Sequence, residues 1–185
     1  MALKATIFKA ELQVSDLDRA HYGTYGLTLA RHPSETDERM MVRVVAFALN
    51  AGERLEFGRG LSTDDEPDLW QRDLTGTIET WIDVGLPDPR RVRKAAGRAA
   101  RVVVYAYGGR SVDVWWRQAA ADLERLPNVA VFALTQEATG SIAALATRSM
   151  RLQCMIQDGQ AWFGDERGSV AVEPSPLKVF ASTLR

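Results

Sequence analysis

The chain has 185 residues, 46% of them hydrophobic and 25% charged, with a formal net charge of −1. That length and apolar content support a sizeable core without disulfides or a structural metal, and they exclude a disordered chain. Near-neutrality excludes bulk attraction to nucleic acid or to an anionic membrane, so a nucleic-acid partner would need a local basic patch.

Residues Thr6 to Val14 alternate, with Ile7, Lys9, Glu11 and Gln13 against Phe8, Ala10, Leu12 and Val14. This predicts a strand, and Ser15-Asp16-Leu17-Asp18 supplies turn chemistry for a return from Tyr22 to Ala30. Gly23 and Gly26 make that return irregular. Pro33-Ser34 ahead of Glu35-Thr36-Asp37-Glu38 predicts a helix capped by Ser34, with Asp37 closing a shortened capping box. From Met40 to Leu49 the helix is apolar on most sides, Arg43 excepted, so it should lie between layers until Gly52 ends it. Leu55-Glu56-Phe57 reads as a short strand. A polar stretch through Gly60 and the acidic run Asp64-Asp65-Glu66-Pro67-Asp68 follow.

Thr77 to Val84 reads as a strand with Ile78, Ile82 and Val84 on one face and Glu79, Trp81 and Asp83 on the other. Asp88 followed by Pro89 is a capping residue with proline at the first helical position, and that helix is expected to run to about Ala100. Arg101 to Tyr107 is a continuous β run that suits a central strand buried on both faces. Ser111 to Leu126 reads as a helix with Trp115, Ala119 and Leu123 spaced four apart, Val129 to Leu134 as a buried strand, and Glu137 to Thr147 as a helix. Met150 to Val172 reads as strands that turn at Asp158-Gly159 and Arg167-Gly168, and the last residues as loosely ordered.

The order strand–helix–strand–helix–strand from Thr77 to Thr147 predicts an α/β fold: a mixed β-sheet with parallel neighbours, flanked by helices. The terminal pieces should add antiparallel strands at its edges, and residues 1–185 read as a single domain. The start of the chain lacks the apolar core of a signal peptide, and no apolar run approaches the length of a membrane span. Cys154 is the only cysteine and lies in the apolar alternation Leu152 to Ile156, where it reads as a buried small hydrophobe. Together these features predict a soluble, cytoplasmic protein without a membrane partner.

The chemistry-bearing residues gather between positions 35 and 94. Glu35 and Glu38 stand three apart at the start of the buried helix. Asp68 ends the acidic run, and Asp83 lies near the end of its strand. The following helix carries Arg90, Arg91, Arg93, Lys94 and Arg98 with no acid. Carboxylates from several elements beside a cationic group are what a divalent-metal phosphodiesterase needs: they hold a hard cation, and the cation activates water and offsets charge on the phosphate. Taken singly, the same residues suit helix-dipole compensation, a solvated acidic loop, a strand-end turn and a solvated basic face. Neither histidine has a partner at zinc-ligand spacing, and Trp115-Trp116 reads as core more readily than as a base-stacking platform.

Arg31-His32-Pro33-Ser34-Glu35-Thr36-Asp37-Glu38-Arg39-Met40-Met41, Glu66-Pro67-Asp68-Leu69-Trp70 and Trp81-Ile82-Asp83-Val84-Gly85-Leu86-Pro87-Asp88 resemble the YaeQ family of bacterial proteins. So do Met1 to Thr6 and Ile156-Gln157-Asp158-Gly159, so the resemblance spans nearly the whole chain. It implies a core of the PD-(D/E)XK restriction-endonuclease type with added terminal strands, in a family of undefined activity. Pro67-Asp68 would match the PD pair, Asp83 the second acid, and Glu35 or Glu38 the acid of the first core helix. The motif's lysine, two residues after the second acid, is replaced by Gly85. Lys94 on the next helix is the substitute that the resemblance suggests, with Arg93 beside it.

The leading expectation is a magnesium- or manganese-dependent nuclease acting on DNA or RNA. Asp68 and Asp83 would hold the ion, Glu35 or Glu38 would assist, and Lys94 or Arg93 would contact phosphate or water. This requires Asp68 and Asp83 to be close enough to share an ion, with neither buried against an arginine. The alternative is a catalytically degenerate member of the fold that binds nucleic acid or a protein, and Gly85 favours it. A structural or assembly subunit is the third.

Overall fold

The computed structural model describes residues 4–59 and 65–182. Of the features named above, Met1 to Leu3, Gly60 and Asp64 lie outside the described residues, as do the last three positions of the tail. The chain opens on the expected antiparallel hairpin, β1 (Thr6–Asp16) and β2 (His21–Arg31). Next come α1 (Asp37–Leu49), β3 (Leu55–Phe57), β4 (Leu69–Arg72), β5 (Ile78–Val84), α2 (Pro89–Ala96), β6 (Ala99–Ala106) and α3 (Arg110–Leu123). The remainder is β7 (Val129–Ala133), α4 (Gln136–Ala143), β8 (Ser149–Gln157), β9 (Gln160–Asp165), β10 (Gly168–Val172) and β11 (Ser175–Lys178).

Several boundaries differ from expectation for local reasons. The cap of α1 is Thr36, whose hydroxyl accepts from the Arg39 N–H at 3.1 Å; Ser34 sits two residues too early and bonds the His32 ring. Asn50, ahead of Gly52, closes the helix. Helix α2 stops at Ala96 because Gly97 caps it and Ala99 already pairs with Ile78 of β5. The tail, expected to be loose, supplies β11 against β7. Strand β4, which carries no periodic pattern, is imposed by its pairing with β3 and β5.

The larger correction concerns the sheet. The strands make two mixed sheets, one in the order β10-β9-β8-β1-β2 and the other β11-β7-β6-β5-β4-β3. Apart from β11, the terminal strands pair with one another and not with the edges of the central sheet. Their alternation explains this: β1 and β8 bury every second residue and leave the other face wet, so each needs one covering layer. The continuous runs of β5 and β6 are covered on both faces.

Helix α1 is the shared filling. Met40 to Ala48 are all buried, and they pack against Leu12 and Leu29 on one side and Leu69, Ile82 and Val103 on the other. On the far face of the second sheet, α2 and α3 cover Trp81, Val102, Val104, Val129 and Val131 with Val92, Ala95, Ala119 and Leu123. Cys154 is buried, and that burial pushes its thiol up to about 12. Among the described residues no helix is long and apolar enough to cross a membrane.

Candidate functional site

Strand register brings the two aspartates together. Leu69 of β4 lies opposite Ile82 of β5, so the residue before β4 falls beside the residue before Val84. The Asp68 N–H points at Asp83 Oδ1 at 3.4 Å, and the Val84 N–H donates to Asp68 Oδ2 at 2.8 Å. Asp68 is 8% exposed and Asp83 2%. Glu35, 6% exposed, enters from the turn ahead of α1. Three of the four predicted acids are thus gathered at the carboxyl end of the parallel strands β5 and β6, where open α/β sheets place their sites. Glu38 is drawn elsewhere, accepting from the Thr139 hydroxyl of α4 at 2.7 Å.

Each buried carboxylate meets a guanidinium. Arg43, one turn beyond Arg39 on α1, grips Glu35 through both oxygens, Nε to Oε1 and Nη2 to Oε2, each at 2.8 Å. Arg39 bridges two acids, Nη1 to Glu35 Oε1 at 3.1 Å and Nη2 to Asp68 Oδ1 at 2.7 Å. Arg91 holds Asp83 bidentately, Nε to Oδ2 and Nη2 to Oδ1, both at 3.0 Å, and also donates to the Glu66 carbonyl. Burial pushes the Asp68 carboxyl up, Arg39 opposes this, and the neighbouring Asp83 adds to it. Burial alone would lower Arg39, but Asp68 and Glu35 more than offset it and raise the group. Tyr107, just past β6, is pushed up to about 12 mainly by burial, with Arg39 opposing and Glu38, Glu35 and Asp68 adding to the rise.

Neither cation expected beside Asp83 is there. Lys94 reaches outward to Asp65 at 2.6 Å, and Arg93 to Asp122 of α3 at 3.3 Å. The buried stripe of α2 is Val92 and Ala95. Arg91 stands four residues before Ala95 on that side, whereas Arg93 and Lys94 face solvent. Gly85 has φ +98°, and its N–H donates to the Tyr105 carbonyl as β5 ends. A lysine there would be strained by its backbone.

Every oxygen of Glu35, Asp68 and Asp83 therefore faces an arginine or a backbone N–H. The Asp68 backbone N–H lies 3.4 Å from Asp83 Oδ1, but each aspartate is buried against an arginine, contrary to what an ion shared between them requires. Among the described residues no group of three or more His, Cys, Asp or Glu side chains is arranged to hold a metal. In this arrangement the donor set does not fit a divalent cation. A groove of about 720 Å³, lined by Glu11, Gln13, Arg151 and Gln153 among others, lies on the open face of the first sheet, and none of the buried acids lines it.

The profile of the YaeQ protein family matches residues 1–174. This chain belongs to the YaeQ family. It is 46% identical over 172 residues to the uncharacterized protein YaeQ of Escherichia coli (strain K12), covering 93% of this chain and 95% of that one. Against its Salmonella typhi counterpart the figure is 45% over 173 residues, with 94% and 96% covered. The crystal structure of YaeQ from Xanthomonas axonopodis pv. citri superposes with a TM-score of 0.91 at 51% identity, covering 96% of this chain and 99% of that one. That of YaeQ from Pseudomonas syringae gives 0.91 at 38%, with 95% and 97% covered. The two-sheet α/β architecture is therefore that of the YaeQ structures.

Proposed function

We propose that this YaeQ-family chain is a non-catalytic nucleic-acid-binding module, built on a PD-(D/E)XK-type core whose acid cluster has become an internal salt-bridge network. The observation that carries this is the occupation of Glu35, Asp68 and Asp83 by Arg43, Arg39 and Arg91. Three acids and three arginines cancel, so the cluster holds the first turn of α1 to β4 and β5. The contact surface is then α2, which carries Arg90, Arg93 and Lys94 and no acid, with Arg98 just beyond its end. Among the described residues Arg90, Arg93 and Lys94 are paired to exposed Asp88, half-buried Asp122 and exposed Asp65. Exposed pairs of this kind are worth little and exchange readily against phosphates.

A magnesium- or manganese-dependent phosphodiesterase is the second reading, favoured by the adjacency of Asp68 and Asp83, and it requires Arg39 and Arg91 to release them. Fluorescence anisotropy with labelled single- and double-stranded DNA and RNA, with EDTA or with manganese, separates the two. The binding module predicts affinity that is indifferent to metal, falls with salt, and drops in Arg93→Glu/Lys94→Glu. Manganese-dependent cleavage that Asp83→Asn abolishes would overturn it in favour of the enzyme.

A further inference from the structure

Strand β2 is eleven residues long and stands at the outer end of its sheet; among the described residues no strand pairs with its other side. The direction of its backbone groups follows from β1. The Lys9 N–H donates to the Arg148 carbonyl, on the side of β8, so Lys9 and its partner Thr28 form a pair without mutual hydrogen bonds. Thr28 therefore turns its N–H and C=O to the free edge, and with a period of two so do Tyr22, Thr24, Gly26 and Ala30. Arg43 confirms the parity, since it donates to the Ala30 carbonyl at 3.3 Å.

Apart from the Ala30 carbonyl, which Arg43 caps, the edge lacks the usual protections. Between His21 and Arg31 there is no charge and no proline, and the outward residues include Tyr22, Thr24 and Thr28. Natural edges of this length are normally blunted, because an unpaired ladder is a template for another chain. Gly26 sits at the centre of the span. Nothing in the fold requires a glycine there: its φ is not positive, and an added Cβ would meet nothing within 4 Å. A glycine inside a strand weakens it and marks a place where another backbone comes close.

We propose that β2 is a homodimerisation edge, pairing antiparallel with β2 of a second copy about a two-fold axis at Gly26. In that register Gly26 bonds reciprocally to Gly26, Thr24 to Thr28 and Thr28 to Thr24, which joins the two sheets into one. A second copy is the occupant because the span matches itself under the two-fold. Thr24 and Thr28 stand symmetrically about Gly26, so threonine meets threonine, and no like charges are brought together.

Sedimentation velocity on the full chain tests this with three proteins. Wild type is expected to sediment as a dimer. Gly26→Lys, which places two lysines directly opposite each other, should sediment as a monomer with unchanged circular dichroism. Gly26→Cys should form an intermolecular disulfide on mild oxidation, because the pairing brings its Cα atoms within bridging range and Cys154 is buried. A wild-type monomer at every concentration overturns the proposal and leaves the edge to an extended segment of another protein. A dimer that survives Gly26→Lys and does not cross-link through Gly26→Cys also overturns it, placing the interface elsewhere.

Discussion

Replacing Arg43 by methionine isolates the energetics of the buried network. The side chains of Arg43 and Glu35 are 3% and 2% exposed, so solvent screening does not soften the pair. Removing one member leaves a carboxylate in the interior, which typically costs about 3–5 kcal/mol. Arg39 still donates to Glu35, so the lower end of that range, about 3 kcal/mol, is expected. For a chain of this size such a loss lowers Tm by about 6–12 °C. The double variant Glu35→Leu/Arg43→Met should regain most of the loss, because replacing both ions by apolar groups removes the desolvation penalty together with the attraction. The coupling between the two sites should be on the order of 2–3 kcal/mol. Urea unfolding followed by circular dichroism for wild type, both single variants and the double gives each term. A single-variant loss below about 1 kcal/mol, or strict additivity in the double, would refute the assignment of these acids to a structural network.

Three further outcomes follow from individual contacts. Thr36→Ala removes the side-chain cap of α1 and should cost about 1 kcal/mol in the same unfolding assay. Tyr105 and Tyr107 should ionise near pH 12 in a phenolate absorbance titration of the folded protein, since burial pushes both up to about 12. For these raised groups, the stabilisation is fully present below about pH 10 and is lost as pH rises from there to about 12. Cys154 should resist a thiol reagent under native conditions and react on unfolding, which a timed colorimetric assay in and out of urea would show.

Much of the architecture is written locally. The alternation of Thr6 to Val14, the apolar run of α1 and the pairing of Asp88 with Pro89 each report a face or a boundary without help from the rest of the chain. The division into two sheets is not local, because β1 chooses β8 as a parallel neighbour through packing on α1, and no periodicity in either strand names its partner. The acid cluster was half legible. The register of β4 on β5 delivers Asp68 to Asp83, while the arginines that serve as its counter-ions are marked only by helical phase. Their signals were present: Glu35, Arg39 and Arg43 recur at intervals of four, and Arg91 precedes Ala95 by the same interval. Lys94 is the substitute that the resemblance suggests, with Arg93 beside it, whereas the helical phase that buries Val92 and Ala95 turns Arg91 toward Asp83.

The place of β1 in the middle of its sheet has a consequence for synthesis. Its parallel partner begins at Ser149, about 140 residues after Lys9. At ribosomal rates of about 5–20 residues per second, that partner is made roughly 7–28 s after β1. During that interval the hairpin of β1 and β2 can form, but the β8 side of its ladder stays open. The apolar stripe of Phe8, Leu12 and Val14 has at most one side of α1 to rest on. A nascent chain halted before β8 therefore carries an open strand edge beside an exposed apolar face, which is the form of this protein that a chaperone would have reason to bind.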